Sequence, residues 1–222
     1  MDTAVALVQC YLNVNGYFTV VEYPVLEAYR RGPARSVTDL DVLAFRFPGA
    51  GYEVVRDQGH VPLAGARFVP DPLLGCPPDR PDMIVGEVKE GAARFNPATR
   101  DPVVLEVALA RFGCCAPEHA RNLARRLLSQ GHVTAPGGHS IRMVAFGAGS
   151  QTDERGRWIT VPMPHVVQFL RSYLREHWDV LRHIQIRDTG LGVLALLEKW
   201  GADPTRTPDE GWAGASEGEG RR

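Results

Sequence analysis

Glu87 and Lys89 stand near the end of an apolar run in segment 82–90. Side-chain types alternate there with a period of two, which predicts a β-strand that carries Glu87 and Lys89 on one face. Upstream, Asp41 interrupts the apolar segment 37–45 in a similar way. Ionised side chains are costly to bury unless they are paired or bind a metal. We therefore interpret these three residues as a candidate site for a hard metal ion.

The same residues have a simpler interpretation. Glu87 and Lys89 would form a surface ion pair if their strand lay at the edge of a sheet. Asp39 lies two residues before Asp41 on the same predicted face, where it is either a solvent-facing residue or an alternative or second ligand. The strongly apolar neighbours of all three candidate residues favour the site interpretation.

Length and composition set broad limits on the class of protein. The chain has 222 residues, 44% of them hydrophobic, which is ordinary for one globular domain with a tail. The cysteines form no Cys-x-x-Cys pair and the histidines show no zinc spacing. We find neither the basic start of a signal peptide nor an apolar run of membrane-spanning length, and so expect a cytoplasmic protein without membrane contact. The formal net charge of −1 means that any nucleic-acid surface would come from local clusters of basic residues.

The order of predicted elements indicates the fold class. Helical spacing or strand-like alternation predicts a helix over 4–13, strands over 17–26, 37–47 and 82–90, a deeply buried helix over 103–112, a helix over 117–131, a hairpin of strands over 140–146 and 157–161, and helices over 165–182 and 191–200. Three successive strands favour an antiparallel meander, and a crossover to a further strand makes the sheet mixed. This predicts an α/β fold.

The domain prediction is one unit followed by a tail. The single domain spans 1–201, with an insertion over about 48–81 beside the site and C-terminal helices over about 164–201. Short strands are predicted inside the insertion, at 52–56 and 66–69. The Gly, Glu and Arg content of 202–222 predicts a disordered tail.

Two motifs in this order resemble a known family. Segment 38–44, Thr-Asp-Leu-Asp-Val-Leu-Ala, and segment 85–89, Val-Gly-Glu-Val-Lys, are similar to the motif strands of the PD-(D/E)xK, or restriction-endonuclease-like, nuclease superfamily. The resemblance covers roughly residues 4–146 and rests on a few residues in the family's order of elements. It implies a three-layer α/β/α sandwich around a mixed central sheet, with an αβββαβ core.

The resemblance also implies roles for individual residues. Asp41 and Glu87 would chelate Mg²⁺ or Mn²⁺, with the backbone carbonyl of Val88 as a further ligand. Lys89 would orient or help to deprotonate the attacking water and stabilise charge on phosphorus. General chemistry agrees, because Mg²⁺ favours a few carboxylate oxygens with water and phosphate, and a bound metal ion lowers the pKa of its water.

Some features depart from the family's pattern. The dipeptide Pro81-Asp82 lies too close to Glu87 to occupy a separate preceding strand, so we assign the role of the motif's aspartate to Asp41. Many members of the family place an acid on the first helix, but residues 4–15 contain none, and Gln9 is the polar candidate there. The long separation between Asp41 and Glu87 implies that the insertion reshapes or covers the site.

These observations lead to hypotheses of different classes. The first is an Mg²⁺-dependent nuclease that hydrolyses phosphodiester bonds of DNA, or of RNA, by metal-activated water. The second is a non-catalytic nuclease-fold module that binds nucleic acid or a protein partner, which the missing helix acid and the near-neutral charge motivate. A third is an unrelated α/β domain with an accidental Glu-x-Lys.

Partners follow from the same hypotheses. The basic residues that would contact nucleic acid, most simply DNA, are Arg35, Arg94, Arg100, Arg121 and Arg125. For the arginines of the helix over 117–131, a solvated helix face is an equally good interpretation. The sequence leaves open a homodimer or a partner subunit.

Overall fold

The computed structural model describes residues 2–27, 35–50, 52–55, 63–67, 70–149, 156–183, 185–186 and 188–201. The helices are α1 (Thr3–Val14), α2 (Pro102–Arg111), α3 (Pro117–Gln130), α4 (Met163–Glu176), α5 (Trp178–Leu181) and α6 (Thr189–Trp200). The strands are β1 (Phe18–Glu27), β2 (Arg35–Arg46), β3 (Tyr52–Val55), β4 (Leu63–Arg67), β5 (Asp82–Val88), β6 (His132–Thr134), β7 (Ser140–Gly147) and β8 (Ile159–Pro162).

Internal contacts divide the chain into two compact units, Met1–Val166 and Val167–Arg222. This division does not decide whether 1–201 is a single domain, which stays a prediction. The predicted tail, 202–222, lies outside the described residues. Among the described helices, none is both long and apolar enough to cross a membrane.

The first unit is organised around a mixed sheet. Its described strands are ordered β1-β2-β5-β7-β6, and β8 pairs with β7 as well. The first three strands in this order are antiparallel neighbours, whereas β7 runs parallel to β5 and β8 runs parallel to β7. The predicted α/β class and mixed sheet are therefore confirmed. Strands β3 and β4 form a separate antiparallel pair.

Successive side chains of a strand point to opposite faces of the sheet, so apolar side chains pack against helices on each face. Leu43, Met83 and Val85 belong to one buried cluster with side chains of α2 and α3, among them Leu105, Leu109, Leu123 and Leu127. In the other direction, α1 contacts β1, β2 and β5. The ring of Tyr11 in α1 meets Phe146 of β7 edge to face, with centroids 6.3 Å apart. Helices therefore cover both faces of the sheet.

The predicted hairpin of β7 and β8 is wrong. These strands do pair, but in parallel, with Val144 opposite Ile159. A tight turn cannot join parallel neighbours, because the chain has to return to the far end of the sheet before it can pair again. The antiparallel partner of β7 is β6, in which His132 lies opposite Arg142. A strand of three residues is too short for its alternation to be recognised in the sequence.

Two predicted helices also differ from the structure. The helix over 103–112 was expected to be buried on nearly all sides, but Val103 is 56% exposed and Phe112 is 39% exposed. A helix that lies on a sheet buries only one side of its surface, which explains the difference. The continuous helix over 165–182 is interrupted at His177, whose backbone leaves the helical region and separates α4 from α5.

The insertion over 48–81 joins the sheet at the edge opposite Glu87. Arg46, at the end of β2, pairs with Asp82, at the start of β5. Because β2 and β5 are antiparallel, the connection between them must leave and enter at that edge. Residues 51, 56–62 and 68–69 of the insertion lie outside the described residues, so the expectation that it lies beside the site stays a prediction.

The second unit contains most of α4 together with α5 and α6. Arg171 and Arg175 of α4 both form ion pairs with Glu198 of α6. These hydrogen bonds hold the pKa of the Glu198 carboxyl below its ordinary value, although burial acts in the opposite direction. The ion pairs therefore link two helices that are far apart in sequence.

A buried ion pair anchors the start of β5. Nε and Nη2 of Arg142 on β7 donate to the carboxylate of Asp82, at 2.9 and 2.6 Å. The hydroxyl of Tyr17 donates to the same carboxylate at 2.5 Å. Asp82 is fully buried and Arg142 is 7% exposed. Each partner therefore depends on the other, because a lone buried charge would be strongly unfavourable.

Replacing Arg142 with methionine is expected to lower the free energy of unfolding by about 3–5 kcal/mol, because Asp82 would keep a buried and unpaired charge. Urea denaturation at neutral pH measures this change. Arg80→Met is the matched control, since Arg80 forms an exposed ion pair with Asp79, and it should leave the midpoint nearly unchanged. Equal midpoints for the two variants would contradict the prediction.

Asp71 is the centre of a second buried network. Its carboxylate accepts hydrogen bonds from the Tyr11 hydroxyl at 2.7 Å and from the backbone N–H of Leu73 at 2.9 Å, and it lies 2.5 Å from the His165 ring. Its backbone N–H donates to the side chain of Asn15 at 2.7 Å. Burial alone would raise the pKa of Asp71, but the bonds from Tyr11, His165 and Leu73 outweigh it and lower that pKa.

Asp71→Asn is expected to make the free energy of unfolding fall less steeply at acid pH. A carboxyl whose pKa is depressed in the folded protein contributes stability above its unfolded pKa of about 3.9, and that contribution is lost as the pH falls through the folded pKa. The parent should therefore lose more free energy of unfolding between neutral pH and about pH 2.5 than Asp71→Asn does. Urea denaturation at both pH values tests this, with the exposed Asp39→Asn as control. A parallel loss in parent and Asp71→Asn would refute it.

Candidate active site

Asp41, Glu87 and Lys89 lie together at one edge of the sheet. The pairing of β2 with β5 ends where Val42 faces Gly86, so Asp41 and Glu87 are the next residues on their strands. Lys89 follows directly after the last residue of β5. The parallel strands β5, β7 and β8 all end at this edge, which is where ligands of open α/β sheets bind.

Lys89 connects the two carboxylates. Its ammonium nitrogen, Nζ, lies 2.6 Å from Oε1 of Glu87 and 3.8 Å from Oδ2 of Asp41. The Glu87 side chain is only 2% exposed, whereas those of Lys89 and Asp41 are 36% and 25% exposed. The site is therefore a buried carboxylate joined through a lysine to a more accessible one.

Beyond Val42 and Gly86, the side chain of Asp41 takes the place of the backbone hydrogen bonds between β2 and β5. Oδ2 of Asp41 accepts the backbone N–H of Val88 at 2.7 Å. The next backbone N–H, that of Lys89, donates to the carbonyl oxygen of Phe146 on β7 at 2.9 Å. Both bonds fix the backbone between Glu87 and Lys89 and so determine where the two side chains begin.

Thr99 is a site residue that the sequence analysis did not identify. Its hydroxyl donates to Oε2 of Glu87 at 2.5 Å, and the residue is completely buried. Together with Lys89, it gives each oxygen of the Glu87 carboxylate a partner. The sequence held no usable signal for this contact, because Thr99 lies in a connection whose path only the tertiary structure defines.

The connection from Lys89 to α2 is held closely against the end of β7. The backbone N–H of Ala148 donates to the carbonyl oxygen of Gly91 at 2.7 Å. Ala93 passes so close to Gly147 that a Cβ there would lie 2.4 Å from the Ala93 backbone nitrogen. Phe95 is buried and contacts the Trp158 ring edge to face at 5.2 Å. This segment is therefore a well-anchored part of the site.

The predicted metal ligands fit Mg²⁺ by chemical type. Mg²⁺ is bound in many proteins through one or two carboxylates together with water and phosphate oxygens, and Asp41 and Glu87 supply that pair. Across the described residues there is no cluster of three or more His, Cys, Asp or Glu side chains suited to hold a metal ion. Asp39 is exposed and does not join such a cluster. The structure therefore offers two carboxylates as ligands, and Val88 follows Glu87 directly in the chain.

Predicted nucleic-acid contacts fall into two groups. Arg94 and Arg100 are exposed on the connection that carries Thr99, and neither has an ion-pair partner in the described part of the chain. Arg121 and Arg125 are exposed on α3, where Arg121 pairs with Glu106 of α2 at 3.1 Å. Arg35 begins β2, and its side chain lies outside what the structure describes.

Asp82 and Gln9, which the sequence analysis weighed as alternatives, lie in other settings, and Cys114 is buried. Asp82 is engaged in the buried ion pair with Arg142, at the opposite end of β5. Gln9 of α1 donates to the hydroxyl of Thr19 at 3.2 Å. Burial, and to a lesser extent the neighbouring Cys115, raises the pKa of Cys114 to about 11, so its thiol is protonated at neutral pH and is a poor nucleophile.

Comparisons of the chain with models of protein families, with curated proteins and with solved structures find no match. The geometry of the site and the chemistry of its residues are therefore the basis for a functional proposal.

Gly147→Ala is expected to disturb the site, because its new Cβ would meet the backbone of Ala93. A contact with backbone cannot be relieved by a side-chain rotation, so the free energy of unfolding should fall by about 1–3 kcal/mol. Urea denaturation measures the loss. Gly149→Ala is the control, since nothing lies within 4 Å of a Cβ placed there. If both variants unfold at the same midpoint as the parent, the close packing described here is wrong.

Proposed function

We propose that the protein is a metal-dependent nuclease that hydrolyses phosphodiester bonds, with DNA as the first substrate to test and RNA as the second. The observation that carries the proposal is the meeting of Asp41, Glu87 and Lys89 at one edge of the sheet, although Asp41 and Glu87 lie on different strands. Charged groups are costly to remove from water, so a nearly buried glutamate beside a lysine favours a functional role for the pair.

The architecture supports the same proposal. Strands β1, β2 and β5 form an antiparallel meander after α1, and β7 joins in parallel after α2 and α3. With β3, β4 and β6 taken as additions, this arrangement supports the αβββαβ core that the resemblance to the PD-(D/E)xK nucleases implies. Glu87 and Lys89 lie at the carboxyl end of the third meander strand, β5, and Asp41 lies on its neighbour β2.

Each residue has a role in the proposed reaction. Asp41 and Glu87, with the carbonyl oxygen of Val88, would hold Mg²⁺ or Mn²⁺. When bound, such an ion supplies a water of lowered pKa and neutralises charge on the phosphoryl oxygens. Lys89 would hold the attacking water or a phosphate oxygen through its ammonium group, which acts as a compact point charge.

The connection after β5 would contact the substrate. Arg94 and Arg100 place two exposed guanidinium groups on the segment that also contacts Glu87. Guanidinium groups bind phosphate oxygens through paired hydrogen bonds. The connection between Lys89 and α2 is therefore the segment that we expect to hold the nucleic-acid backbone.

A specific observation favours a second function. Both oxygens of Glu87 already have partners within the chain, Lys89 and Thr99. The alternative is therefore a nuclease-fold module in which these bonds are structural, and which binds nucleic acid or a protein partner without cleaving. Unchanged DNA affinity in EDTA, together with no cleavage under any divalent ion, would favour this function.

Asp41→Asn, Glu87→Gln and Lys89→Met are each expected to reduce cleavage by about 100-fold or more, because the first two remove charges that would hold the metal ion and the third removes the charge beside the phosphate. The assay uses single-stranded, duplex and branched DNA and RNA, with Mg²⁺, Mn²⁺ or EDTA. Asp79→Asn is the control, since Asp79 is an exposed acid outside the site. If all three variants cut as fast as the parent, the assignment of the site is wrong.

A further inference from the structure

The carboxylate of Glu87 has two different neighbours. The Thr99 hydroxyl donates to Oε2 at 2.5 Å, and the Lys89 ammonium lies 2.6 Å from Oε1. Thr99 is completely buried, whereas the Lys89 side chain is 36% exposed. One oxygen of Glu87 is therefore held from the protein interior and the other faces the accessible side of the site.

A compact turn positions Thr99 beside the carboxylate of Glu87. The backbone N–H of Arg100 donates to the carbonyl oxygen of Asn96 at 3.2 Å, and that of Asp101 donates to the carbonyl oxygen of Ala98 at 2.9 Å. The side chain of Asn96 accepts the N–H of Ala98 at 2.9 Å. Asp101 then caps α2 by accepting the N–H of Val103. Bonds on both sides of Thr99 thus fix its hydroxyl relative to α2.

The hydroxyl restricts how Glu87 can turn. A terminal carboxylate otherwise rotates over a broad range, because its last torsion has no sharp minimum. A threonine hydroxyl has one proton to donate, and here that proton is given to Oε2. Oε1 is then the oxygen left to exchange its partner, either the Lys89 ammonium or a cation.

We infer that Thr99 is a positioning residue for the proposed nuclease site, which holds Oε2 of Glu87 so that Oε1 is presented to Lys89 and to a divalent cation. This inference rests on the proposed function. A cation held at Oε1 would compete with the Lys89 ammonium for that oxygen, which would leave Lys89 available to a phosphate oxygen.

Thr99→Val tests the inference, because valine keeps the shape of the side chain and removes the hydroxyl. Loss of a hydrogen-bond partner behind a metal ligand costs about 10- to 100-fold in metal affinity in characterised sites. We expect a loss of this size in Mn²⁺ affinity, measured by titration calorimetry without substrate. Thr99→Ser, which retains the hydroxyl, should bind Mn²⁺ nearly as well as the parent.

Controls separate this role from a general effect on folding. Thr134→Val changes an exposed threonine on β6 and should bind Mn²⁺ like the parent. Urea denaturation of every variant shows whether it is folded at the assay temperature, and Thr99→Ala replaces Thr99→Val if valine prevents folding. In cleavage assays, saturating Mn²⁺ should restore much of the rate of Thr99→Val, which a distorted site would not allow.

The outcomes distinguish this inference from the proposed function. If the parent binds Mn²⁺ and folded Thr99→Val binds it equally well, Thr99 has no positioning role, while the nuclease proposal stands. If the parent neither binds Mn²⁺ nor cleaves any substrate, both are overturned. Weaker binding by Thr99→Val with recovery in Thr99→Ser supports the inference.

Discussion

The hydrogen bond from the Val88 backbone N–H to Asp41 is the interaction on which the candidate site depends. At 2.7 Å, it puts a side-chain carboxylate where the strand ladder between β2 and β5 has just ended. One oxygen of Asp41 thereby fixes the backbone that carries Glu87 and Lys89. The carboxylate at the same time stays near the Lys89 ammonium. Backbone geometry and site electrostatics are thus coupled through one side chain.

Close approach of the strands makes this bond available. A Cβ at Gly86 would lie 2.4 Å from a methyl carbon of Val42, so glycine permits β2 and β5 to pack tightly just before they part. Gly147 has a similar effect at the end of β7, where the chain after Lys89 passes over it. Both glycines stand next to site residues in space, and each gives the backbone room that a side chain would occupy.

Charged residues within apolar strands lie in two different environments in this fold. Asp82 and Arg142 neutralise each other at the start of β5 and are buried with Tyr17. Glu87 and Lys89, at the other end of the same strand, form a pair that remains partly open to solvent. A charge in an apolar run therefore indicates a constraint on the fold without stating its kind. The exposure of Lys89 and Asp41 is what makes the second pair a candidate for chemistry.

Local patterns in the sequence were sufficient for most of the elements and for the choice of Asp41, Glu87 and Lys89 as candidates. Alternation placed Glu87 and Lys89 on one strand face, and the Asp101-Pro102 start of α2 follows from capping chemistry that is local to the chain. Only the tertiary structure decided the parallel pairing of β8 and the pairing of the short β6. The same holds for the attachment of the insertion at the far edge of the sheet and for the contact of Thr99 with Glu87. Side-chain periodicity reports which way a residue faces within its own element, whereas strand order, strand direction and contacts across loops depend on how distant elements pack.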